Sequence, residues 1–139
     1  TVESISLFST ILTSGDFKRI VIPNSQIMSG PITNYSMKPR RRVDLLVGIS
    51  YDADIKLAKE ILERLVNEDE RVLKDPAPRI AVAALGASSV DLICRPWVKT
   101  DDYWPTYWDL TERIKLAFDE AGVGIPYPQM DVHFHKTEQ

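Results

Sequence analysis

With 139 residues, 44% of them apolar and 27% charged, the chain has the make-up of an ordinary globular protein and the length of one domain or two very small ones. Its formal net charge of −3 supplies no general attraction to nucleic acid or anionic lipid. No apolar run approaches the roughly 20 residues that cross a bilayer, and a single cysteine, Cys94, allows neither an internal disulfide nor a cysteine-rich zinc site.

Thr1 opens the chain without a signal-peptide pattern, so the sequence reads as a piece of a longer protein. "ISLFSTIL" (residues 5–12) and "KRIVIP" (residues 18–23) are β-branched and apolar, and "SGD" between them is turn chemistry, which predicts a hairpin. Pro23-Asn24 ends the second strand, and a further short strand is expected near "ITNYS" (residues 32–36). Residues 1–39 form a small β domain on this reading. The domain closes on "MKPRRR" (residues 37–42), which packs four cations into six positions.

Beyond the cations the periodicity changes. Val43, Leu45, Val47 and Ile49 share one face of a strand, with Leu46 and Gly48 on the other. A helix follows, with Ile55, Ala58, Leu62, Leu65 and Val66 at helical spacing and Asp52 as the expected cap of its first turn. "RIAVAALG" (residues 79–86) and "SVDLICRPWV" (residues 89–98) read as the two strands of a hairpin around "GASS", with Val90, Leu92 and Cys94 facing one way. A second helix places Tyr107, Leu110, Ile114, Ala117, Phe118 and Ala121 on one stripe, with Thr106-x-x-Asp109 as the expected cap and Gly122 as the stop. Met130, Val132 and Phe134 then alternate with Asp131, His133 and His135 in a closing strand. Strand, helix, strand, strand, helix, strand is the split βαβ or ferredoxin-like order, an α+β sandwich with both helices on one face of the sheet.

Enzyme motifs are missing. The chain has no Gly-rich phosphate loop, no G-x-S-x-G and no His-x-x-x-His. Asp52 and Asp54 are explained by capping a helix start, so no catalytic residue is assigned.

Four blocks carry a specific likeness: "IVIPNSQI" (residues 20–27), "YDAD" (51–54), "LGASS" (85–89) and "YWDLTERIKLAFDEAGVGIPYPQMDV" (107–132). In this order the chain resembles, over nearly its whole length, the cytoplasmic part of the bacterial small-conductance mechanosensitive channels, the MscS-like family. The resemblance implies a homoheptameric channel of the inner membrane, with its membrane helices upstream of Thr1, that releases ions and small solutes on hypo-osmotic shock. It implies an Sm-like β domain (1–39), a ferredoxin-like α/β domain (40–126) and a C-terminal strand and tail (127–139). Together these build a hollow cage with lateral openings, closed below by a parallel barrel of the terminal strands. The pore-lining helices are not in this sequence, so no residue here is assigned to gating.

Within that frame the proline pair has a physical role. Pro126 and Pro128 lack N–H donors and cannot extend a neighbouring ladder, so residues 129–134 would be an exposed edge unless identical strands around one axis pair with one another. A barrel of about this strand number has an interior that side chains fill. It turns Met130, Val132 and Phe134 inward and leaves Asp131, His133 and His135 in water.

Three side-chain groups are candidate sites. Lys38, Arg40, Arg41 and Arg42 either line the solute path and favour anions or form a linker paired with local carboxylates. Trp97, Trp104 and Trp108, with Tyr107, either anchor a subunit contact or cover one end of the core. Asp131, His133 and His135 share a strand face, but their spacing is too loose for a metal site, and neither metal nor cofactor is expected. The alternative function is RNA binding, since both folds also serve that purpose. Against it stand the acidic balance and the lack of an RNA-binding strand motif, so no nucleic-acid partner is expected.

Overall fold

A computed structural model of the chain describes residues 1–133, in two units, Thr1–Tyr35 and Ser36–Gln139. The first is an antiparallel meander of β1 (Val2–Ile5), β2 (Ser9–Thr13) and β3 (Arg19–Pro23), followed by a short helix α1 (Asn24–Met28). The expected single strand over residues 5–12 is instead two strands parted by a turn at residues 6–8. There Ser6 N–H donates to Ser9 O at 2.9 Å, and Asn24 Nδ2 donates to Ser6 O and Leu7 O at 2.9 and 3.0 Å. Asn24 also accepts from the buried Thr10 hydroxyl at 2.7 Å, so one side chain closes the turn from 17 residues away. In the next turn the left-handed residue is Phe17, at φ 62°, and not Gly15. The strand expected over residues 32–36 is absent. Those residues are irregular, Ile32 is 74% exposed, and no strand among the described residues pairs with them.

The second unit opens on β4 (Arg40–Arg42), which pairs antiparallel with β8 (Trp97–Lys99). A separate sheet has the order β5 (Leu45–Ile49), β7 (Val90–Arg95), β6 (Arg79–Leu85), all antiparallel. Pro96 divides β7 from β8 and sends the chain from one sheet to the other. Directly opposed residues share a face. Leu45, Val47 and Ile49 therefore stand with Cys94, Leu92 and Val90 on the core face, and Leu46 and Gly48 stand with Ile93 and Asp91 on the outer one.

Two helices, α2 (Ile55–Glu68) and α3 (Tyr103–Ala121), cover the core face. From α2 come Ala58, Ile61, Leu62, Leu65 and Val66, and from α3 Leu110, Ile114, Ala117 and Phe118. Phe118, Leu62, Leu92 and Leu110 are all at 0% exposure, and burying a side chain of that size contributes about 1.5–3 kcal/mol. The cap of α2 is Asp54, not Asp52: its carboxylate accepts from Lys56 N and Leu57 N at 2.8 and 3.3 Å. Thr106 is no cap either, because α3 starts three residues earlier, after a 3-10 turn at Thr100–Asp102. Its side chain is fully buried, with a hydroxyl that has no hydrogen-bond partner. Gly122 does stop the helix, at φ 71°, with its N–H on the last turn's carbonyls.

After α3 the chain returns past the end of β5, where Ser50 N–H donates to Gly124 O at 2.8 Å. Val123 is buried, but residues 123–133 are irregular. As far as His133, residues 129–133 pair with no strand among the described residues, so the closing strand expected over residues 129–134 is not formed there. Phe134 and His135 lie outside the described residues.

Candidate functional site

The three arginines of the basic run form strand β4, and each is engaged by a partner of its own. Arg40 Nη1 donates to Asp75 O at 3.2 Å. Arg41, half-buried on the opposite face, sets its guanidinium 3.7 Å from the centre of the Tyr103 ring. Arg42 grips Asp44 with two donors, Nε to Oδ1 at 2.9 Å and Nη2 to Oδ2 at 3.3 Å. Lys38 is held through its backbone, whose carbonyl accepts from the Thr100 hydroxyl, while Thr100 N–H donates to Pro39 O at 3.1 Å.

The aromatic residues separate into two places. Trp97 is half-buried in β8, opposite Arg42. Trp104 and Trp108 lie one turn apart on α3 and stack at 5.6 Å between centroids, 52% and 62% exposed. Tyr103 and Tyr107 extend the stack, so α3 carries an aromatic ridge. Beside it, between α3 and the unpaired edge of β5, lies a depression of about 310 Å³. Leu45, Leu46, Val47, Gly48, Tyr107, Thr111, Ile114, Lys115 and Ile125 line it. Met130 and Val132, expected to line a barrel, are 84% and 58% exposed in the irregular tail.

An ion cluster that the sequence did not announce ties α2 to α3. Asp69, the C-cap of α2, accepts from Arg71 Nε and Nη2 at 2.8 and 2.6 Å, and Arg71 Nη2 reaches Asp109 at 2.5 Å. Arg113 adds contacts of 3.3 Å to Glu68 and 3.7 Å to Asp69. The Arg71 guanidinium holds the Asp69 carboxyl below its ordinary 3.8 despite burial, and the paired acids push the Arg71 pKa upward. Burial alone pushes the Cys94 thiol up to about 12. Among the described residues no three His, Cys, Asp or Glu side chains gather as metal ligands, and no helix is long and apolar enough to cross a membrane.

The architecture is a small β meander followed by a mixed α/β unit, and comparison with known proteins assigns the family. Residues 1–37 match the family model "Mechanosensitive ion channel, beta-domain", and residues 43–125 match "Mechanosensitive ion channel MscS, C-terminal". The small-conductance mechanosensitive channel of Edwardsiella ictaluri is 44% identical over 137 residues, 99% of this chain and 48% of the relative. An uncharacterized MscS family protein of Synechocystis is 42% identical over 99% of this chain and 46% of its own length. The crystal structure of Helicobacter pylori MscS in its closed state superposes with a TM-score of 0.88 at 28% identity, covering 98% of this chain and 54% of that one. The chain belongs to the mechanosensitive channel MscS family, and it spans about half the length of the curated relatives it matches.

Proposed function

We propose that this chain is the cytoplasmic vestibule of an MscS-family channel, a cage below the pore that gathers seven subunits and passes ions and small solutes sideways to the membrane-spanning part. The observation that carries the reading is collinearity. Both family models match in order, and one fold superposes on 98% of the chain. Two surfaces support assembly: the ridge of Trp104 and Trp108, and the β5 edge with Leu46 68% exposed beside it. In the ring, residues 129–134 pair with their own copies, and Met130, Val132 and Phe134 fill the throat. Lys38 and Arg40 face the solute path, since Arg41 is docked on Tyr103 and Arg42 on Asp44.

The RNA-binding alternative gains nothing from the sheet. The middle of its outer face carries Gly48, Asp91 and Ile93, where a base-stacking sheet needs aromatic rings. The channel reading is tested by joining this chain to the membrane helices of the Edwardsiella relative in a bacterium stripped of mechanosensitive channels. Survival of hypo-osmotic shock and tension-gated current in patches are the expected results. A chimera that reaches the membrane as a heptamer but passes no current under tension would overturn it.

A further inference from the structure

The outer face of the β5-β7-β6 sheet ends in a group of arginines that its own carboxylates do not satisfy. Arg79 of β6 stands directly opposite Arg95 of β7, and like charges in that relation repel. Arg42 stands on the same side, next to them. The ion-pair partner that the described residues offer this group is Asp44, whose two oxygens are already taken by Arg42. Arg95 Nε comes within 2.9 Å of Asp44 Oδ1, yet its N–H is misaligned for a hydrogen bond and is left buried without an acceptor. Arg79, exposed, has no ion pair at all among the described residues. Three arginines thus line an open-sided depression of about 460 Å³, with one carboxylate, Asp44, paired to two of them, and the apolar part of the lining includes Trp97, Ile93 and Val82.

We propose that this depression is a binding site for a small organic oxyanion, a carboxylate or phosphate group attached to an apolar body. The oxyanion bridges Arg79 and the exposed end of the Arg95 guanidinium, and converts a cross-strand repulsion into two charge-assisted contacts. The apolar body rests on the Trp97 indole and Ile93. Arg42 sets the wall and stays with Asp44. The site lies wholly in the second unit and does not depend on assembly or on the channel reading.

The test is titration of the ¹⁵N-labelled chain with phenyl phosphate and with benzoate, each at constant ionic strength held with sodium chloride. Saturable shifts of the Trp97 indole N–H and of the Arg79 and Arg95 amides are expected. Arg79→Gln should weaken binding by about tenfold, the weight of one charge-assisted hydrogen bond, while the other resonances stay in place. Arg64→Gln, on the far side of α2, should leave it unchanged. Equal affinity in the Arg79→Gln chain, or shifts that grow linearly and touch every basic residue alike, would overturn the site. So would retention by phosphatidylglycerol vesicles without any shift from phenyl phosphate, which would assign the arginines to a lipid surface.

Discussion

Asp69 has a side chain 3% exposed, and two arginines answer its charge. Such an acid is stabilising only while ionised. Its folded pKa lies below the unfolded value of 3.8, so the folded state binds fewer protons in acid and the contribution drains away as pH falls through 4 and below. Above about pH 5 it is fully present. Asp69→Asn should therefore cost about 2 kcal/mol at neutral pH and progressively less as the pH falls below 4, which urea unfolding across that range would reveal. Arg71 is 31% exposed, so it can rehydrate when its partner is lost, and this keeps the cost below that of a sealed pair. Nothing in the sequence announced the cluster, because Arg71 and Asp109 are 38 positions apart and meet only when the helices pack.

Local structure was legible wherever apolar spacing alone decides it. Ala58, Leu62, Leu65 and Val66 of α2 are buried as their spacing predicts, and so are Val90, Leu92 and Cys94 of β7. Ile55 is 37% exposed because it is the first residue of α2, ahead of the covered turn, and Ile61 takes a core place that the stripe had not included. The ends were less legible. Asp52 and Asp54 are equally good capping residues, and only the backbone path chooses Asp54. Asp54→Ala should then lower stability by about 1 kcal/mol in thermal or urea unfolding. Asp52→Ala should stay within about 0.5 kcal/mol. For α3 the expected cap was Thr106, in Thr106-x-x-Asp109, one residue after Pro105. At the third residue of a helix, however, the missing N–H has no intrahelical acceptor to lose, so the helix can begin at Tyr103. The arginine group on the outer face was half-visible: Arg42 stood in the basic run, but the Arg79–Arg95 pairing depends on a hairpin register that a bulge between Val82 and Ala84 resets.

The first unit is the part least finished by its own chain. Leu7, Phe8 and Phe17 are 80% or more exposed, and in the second unit Trp104 and Trp108 are more than half exposed and Met130 is 84% exposed. Isolated exposed apolar residues are ordinary, but a stacked tryptophan pair beside an unpaired strand edge is the make-up of an interface. Double substitution of Trp104 and Trp108 by alanine should weaken self-association of the chain by tenfold or more on the hot-spot scale, read by sedimentation velocity over a range of concentrations. Unchanged association would mean that the ridge faces water. A practical handle for such measurements is already built in. The chain's one thiol, Cys94, is at 0% exposure and kept protonated far above neutral pH, so it cannot react as a thiolate with maleimides or oxidants. A cysteine placed anywhere on the surface would be the sole reactive point on each subunit, ready for a fluorophore or for cross-linking one copy to the next without first altering the core.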